Sequence, residues 1–190
     1  MNLLVSTVIL APLLAAAAGL VFRRHTAIRD ATIISGLAVA TAAAFGILLR
    51  VNADGSHAIR VGDWSPELGI VLVADLFAAL VLPVALSIIL VVEVFAIGQR
   101  RTAWGANPEL AGPLLGVLTA GVSLAILTGD LFTLFVAFEM ILVSSYVLLT
   151  HQGQRRQIQS GMTYVVMNLF ASTLFLFGLA FVYAATGTTN

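Results

Sequence analysis

The chain has no cysteine and no lysine, and only 9% of its 190 residues are charged. Without cysteine there are no disulfides, thiolate metal sites or thiol nucleophiles, and the redox compartment is left undetermined. Soluble domains carry about a quarter of their residues as charges. A chain that is 60% hydrophobic with so few charges belongs in a membrane. Nine acids balance nine arginines, so nothing argues for a nucleic-acid partner. No phosphate loop, zinc-ligand cluster, nucleophile elbow or dinucleotide fingerprint is present, and the 16 glycines scatter through apolar runs and turns. These residues call for no cofactor.

What is there is a series of long apolar runs. Segments of about 3–22, 31–49, 69–97, 110–128, 131–150 and 159–185 are each long enough to cross a bilayer as a helix. The fold expected is all-α, a polytopic membrane protein with six transmembrane helices. The arginines set its orientation. Arg23, Arg24 and Arg29 follow the first run, Arg100 and Arg101 the third, and Arg155 and Arg156 the fifth, whereas Arg50 and Arg60 lie between the second and third. Positive-inside counting puts the three arginine loops in the cytoplasm and both termini of this segment outside the plasma (inner) membrane. A signal peptide would carry its positive charge before the first apolar run, and Arg23 and Arg24 come after it. The fourth run holds Gly112, Gly116 and Ala120 at four-residue spacing, a seam for close helix packing.

Acids inside apolar runs are the candidates for chemistry. Glu139 lies near the middle of the run Leu131–Thr150. A carboxylate at that depth costs on the order of 2.5–3.5 kcal/mol on insertion scales, and such groups mark ion pathways and proton relays. On a helical wheel Phe132, Phe135, Val143 and Tyr146 share its face, which leaves Tyr146 as the polar neighbour, while Ser144 and Ser145 point away. Asp75, Glu93 and Asp130 are secondary acids. Asp75 and Glu93 belong to the third run and would stand on one face if Pro83 leaves the helix straight. Each also has an ordinary reading: reaching the nearest interface, with Arg100 or Arg101 as partners for Glu93, and capping of the fifth helix for Asp130. In the sixth run Ser160, Tyr164, Asn168 and Ser172 recur every four residues. Such a stripe supplies either interhelical hydrogen bonds or a hydrated path toward Glu139. Tyr164, Asn168 and Ser172 are the candidate pathway, with His151 at its cytoplasmic end as a proton carrier near neutral pH or a plain solvated residue. His57, between the second and third runs, reads as a solvated loop residue.

The run TGDLFTLFVAFEMILVSSYVLL, at residues 128–149, resembles the fifth helix of the D subunit of Mrp-type multisubunit Na+/H+ antiporters. The earlier stretch GDWSPELGIVLVADLFAALVL, residues 62–82, resembles the outer loop and third helix of that family. The wider superfamily includes the antiporter-like proton-pumping subunits of respiratory complex I. The resemblance implies about fourteen helices with two inverted five-helix repeats. It also implies a fifth-helix glutamate, here Glu139, paired with a seventh-helix lysine. No lysine occurs in the chain. The resemblance therefore implies the N-terminal part of a longer subunit. Residues 1–109 would hold three leading helices with an outer loop at 51–68, and residues 110–190 the first three helices of the proton-translocating repeat.

The function this implies is transport: a subunit that exchanges a monovalent cation for protons, with other membrane subunits, the lipid bilayer, H+ and the cation as partners, and no bond made in a substrate. Two alternatives stay open. One is a proton-pumping membrane subunit of an NADH:quinone oxidoreductase or hydrogenase-type complex. The other is a scaffold membrane subunit that conducts nothing.

Overall fold

The computed structural model describes residues 1–61, 70–103, 109–150 and 155–190. Among the described residues six helices follow one another: α1 (Asn2–Val21), α2 (Thr26–Asp54), α3 (Leu76–Ala103), α4 (Ala111–Leu127), α5 (Leu131–Thr150) and α6 (Arg155–Thr186). Between α2 and α3 runs an antiparallel strand pair, β1 (His57–Val61) and β2 (Ile70–Ala74). Five of these helices are long and apolar enough to cross a membrane, and α4 is a shorter apolar helix of 17 residues. The chain is thus an all-α polytopic membrane protein with one small strand pair.

The bundle is built around α4, which packs against α1, α2, α3 and α5. Small residues make this possible. The α4 seam of Gly112, Gly116 and Ala120 is buried. A Cβ on Gly116 would stand 2.8 Å from the Pro12 carbonyl oxygen of α1 and 3.0 Å from the Cβ of Ala16. On the opposite flank, a Cβ on Gly121 would stand 3.2 Å from the Ala137 carbonyl oxygen of α5. Backbones approaching this closely gain dispersion contacts that larger side chains would forbid. Beside this seam Val5 and Val8 of α1, Ala40 and Ile47 of α2, and Leu82 and Leu86 of α3 form the main apolar core.

The third apolar run, expected as one long helix from residue 69, divides instead. Ile70–Ala74 is a strand, and the helix begins at Leu76. The physical reason lies in two local signals. The β-branched run Ile70, Val71 and Val73 suits an extended backbone. Asp75 then accepts a hydrogen bond from the Ala78 backbone N–H at 2.7 Å, the geometry of an N-cap. The second helix is also longer than its apolar run, from Thr26 to Asp54. His57, expected as a solvated loop residue, opens β1 opposite Ala74, and its Nε2 is buried without a hydrogen-bond partner.

The strand pair is tied to the α4–α5 turn. Leu72 pairs with Thr128, and the Gly129 N–H donates to the Val71 carbonyl at 2.7 Å. Asp130 completes the joint. Its Oδ1 accepts from the Thr133 N–H at 2.6 Å, capping α5, and its Oδ2 accepts from the Val71 N–H at 3.3 Å.

Candidate functional site

The residues of interest lie where α6 runs antiparallel along α5. Glu139 is eight residues into α5, about 12 Å along a 20-residue helix, which is close to its middle. Why α6 lies here is legible in the contacts on either side. At one end Phe175 of α6 stacks on Phe135 and meets Phe138 edge-on, with ring centroids 6.1 and 6.5 Å apart. At the other, Gly161 of α6 lies against the Tyr146 ring and the Thr150 methyl of α5. Aromatic packing and a glycine contact thus fix the separation, and polar side chains meet between them.

Side-chain hydrogen bonds cross this seam at two levels of α5. The Ser172 hydroxyl donates to Glu139 Oε1. Further along α5, the hydroxyls of Ser145 and Tyr164 share a hydrogen bond of 3.0 Å. Beside them opens a groove of about 250 Å³, lined by Glu139, Tyr146, Tyr164, Asn168 and Ser172 with Leu142 and other apolar residues. A second groove, of about 180 Å³, is lined by Phe135, Phe138 and Phe175 among others and shares Leu142, Asn168 and Ser172 with the first. Asn168 and Ser172 therefore stand in the wall between a groove that holds the acid and one that is largely aromatic. The Nδ2 of Asn168 is buried there with no hydrogen-bond partner. Buried amide donors in native proteins are nearly always satisfied, so this one marks a place that a polar atom would fill.

Of the residues singled out in the sequence, the structure brings Glu139, Tyr164, Asn168 and Ser172 to one groove. Tyr146 lines it too, but the hydrogen-bond partner of Glu139 is Ser172 of α6 rather than Tyr146 of its own helix. Ser145, which the wheel turns away, reaches α6 as well. Both facts have one cause: α6 packs on the flank of α5 between the directions of Glu139 and Ser145, so residues on either side of that flank meet it. Ser144 does point elsewhere, donating to the Met140 carbonyl at 2.6 Å. His151 lies outside the described residues.

The secondary acids stand apart from the groove. Asp75 and Asp130 are helix caps at the strand end of the bundle. Glu93 is buried in α3, 2% exposed. The side chains of Arg100 and Arg101, expected as partners for it, lie outside the described residues. Ile33 of α2 clusters with Ile89 and Leu90 of α3, so Arg29 and Glu93, each about one turn further on, stand at the same level of two packed helices. Arg29 is itself buried and pairs with Asp30 at 2.9 Å. Among the described residues no group of three or more His, Asp or Glu side chains is arranged to hold a metal ion.

What this arrangement can do chemically is hold a proton. A carboxyl group at mid-helix, half-buried beside a groove wide enough for several waters, with hydroxyl and amide groups along one wall, is a set of hydrogen-bonding stations.

Comparisons with known proteins agree on the setting. Residues 128–190 match the family described as NADH:quinone oxidoreductase/Mrp antiporter, transmembrane. Over its full length the chain is 40% identical to the Na(+)/H(+) antiporter D subunit of Alkalihalophilus pseudofirmus, of which it covers 38%. It is 38% identical, over 76% of its length, to a probable K(+)/H(+) antiporter D subunit of Rhizobium meliloti, covering 27% of that protein. The fold superposes on a chain of the Mrp complex from Dietzia sp. DQ12-45-1b with a TM-score of 0.88 at 32% identity, covering all of this chain and 36% of that one. A chain of the membrane-bound sulfane sulfur reductase, an archaeal respiratory membrane complex, follows with a TM-score of 0.83 at 27% identity, covering 98% of this chain and 38% of that one. The chain thus spans less than two fifths of the length of these relatives; along its full length it has homologues among antiporter D subunits, and its residues 128–190 belong to the NADH:quinone oxidoreductase/Mrp antiporter family of membrane proteins.

Proposed function

We propose that this chain forms part of a membrane subunit of a multisubunit monovalent cation/proton antiporter, with Glu139 as its proton-carrying group. The observation that carries this reading is the placement of Glu139: mid-helix, beside a groove with polar stations, its carboxylate met by a hydroxyl of the neighbouring helix. Glu139 would alternate between protonated and ionised forms. A positive charge brought near it favours the ionised form and releases the proton; withdrawal of that charge favours proton uptake. In the assembled complex the moving charge would come from a neighbouring helix or from the transported cation itself. Residues 1–109 then act as the leading helices, and residues 110–190 as the start of the translocating repeat. The arginine-bearing ends of α1 and α6 face the cytoplasm in this reading, with both termini of the segment outside, and the other membrane subunits of the antiporter as partners.

The test is Glu139→Gln in the assembled complex. Membrane vesicles should lose Na+-dependent proton exchange while the complex still assembles. Full exchange by the assembled Gln variant would remove the assignment. A second reading is a proton pump powered by electron transfer in another part of a respiratory complex, and the likeness to the archaeal respiratory complex favours it. Proton movement that needs a reductant and ignores the cation gradient would select it.

A further inference from the structure

Many hydroxyl groups on these helices bond to their own helix, and Ser172 does not. Thr41, Ser87, Thr119, Ser123, Ser144 and Thr173 each donate to the backbone carbonyl four residues back, at 2.6 to 2.9 Å. That is the default for a serine or threonine in an apolar helix, because the carbonyl has a spare lone pair and no water competes. Ser172 has the same acceptor within reach, the carbonyl of Asn168, yet its hydroxyl goes across the seam to Glu139. A hydrogen bond to an ionised carboxylate is roughly twice as strong as one to a neutral acceptor. Glu139 is thus the stronger acceptor for this hydroxyl when its carboxylate is ionised.

We propose that Ser172 is a positioning residue for Glu139. Its hydroxyl turns to Oε1 when the carboxylate is ionised, and falls back to the Asn168 carbonyl when Glu139 is protonated. No proton is passed through the hydroxyl and no bond is made; only the acceptor changes. In the ionised state the contact holds the carboxylate toward α6 and the groove wall. The unmet Nδ2 of Asn168 lies in that same wall, a donor beside the held carboxylate. In the protonated state the carboxyl is released to turn toward the open groove. The inference rests on the proposed role of Glu139 and adds a device that steers it.

The experiment compares Ser172→Ala, Ser172→Cys and Ser172→Thr with Glu139→Gln in the assembled complex. Exchange is measured in vesicles, and infrared difference spectra report the carboxylate bands that disappear in the Gln variant. Ser172→Ala should slow exchange about tenfold or more, as expected for a lost hydrogen bond to a charged group, and should displace the Glu139 bands. Ser172→Thr keeps the donor and should retain both the rate and the bands. Ser172→Cys, a weak donor of similar size, should fall between. Wild-type exchange with unmoved bands in Ser172→Ala would overturn the proposal while leaving Glu139 in place. So would equal losses in Ala and Thr with unmoved bands, which indicate packing alone. An active Glu139→Gln complex would instead remove the underlying reading.

Discussion

The α1–α4 bundle and the α5–α6 pair are held together by different means. In the first, small residues let backbones touch, and buried aliphatic side chains fill what remains. In the second, α6 buries only Gly161 and Leu179 among its described residues. Side-chain hydrogen bonds and three phenylalanine rings join it to α5. In lipid, apolar surfaces gain little from leaving one hydrocarbon environment for another, so packing quality and interhelical hydrogen bonds decide association. The closely packed part can be a frame. The α5–α6 seam, where polar groups line the grooves, is where groups can change partners.

Substitutions should separate these two regions. The largest structural effect is expected from Gly116→Leu, whose side chain must enter space held by the Pro12 carbonyl and Ala16. Overpacking of this kind costs about 1–3 kcal/mol or more, and thermal unfolding of the detergent-solubilised protein should show it as a clear fall in midpoint. Asp130→Ala removes the α5 cap and the contact to Val71, for a loss of about 1–2 kcal/mol. Hydrogen exchange should speed at the Thr133 and Val71 amides while the α1–α2 core keeps its protection. Asp130→Asn retains an N-cap and should recover most of the difference. Tyr164→Phe deletes one seam hydrogen bond, an effect near ~0.6 kcal/mol on average for membrane helices. Its melting temperature should barely move. A large fall there would show the α5–α6 pair to be a frame too, and would erase the contrast.

The parts of this arrangement that can be read in the sequence are those governed by length and by single residues. Twenty apolar residues with one acid near the middle announce a spanning helix and a candidate site without any knowledge of neighbours, and the small-residue seam of α4 is equally local. The strand inside the third run is hidden because an apolar window has the same hydropathy in either conformation. Only the β-branched cluster and the capping position of Asp75 distinguish them. Ser172 is visible as a member of a stripe but not as the partner of Glu139. That pairing depends on the rotation of α6 about α5, set by Phe175 and Gly161 far along the chain. Ser145 escapes the wheel for the same reason, since a helical wheel knows the bearing of a side chain but not where the neighbouring helix stands.

Proton release on cation addition tests the account most directly. Solubilised complex in weak buffer with an indicator dye, and no gradient, should release protons when Na+ is added if Glu139 gives up its proton as positive charge approaches. The account predicts release from the wild type and a deficit of up to about one proton per copy of this chain in Glu139→Gln, since each copy loses one carboxyl group. Equal release from both would contradict it.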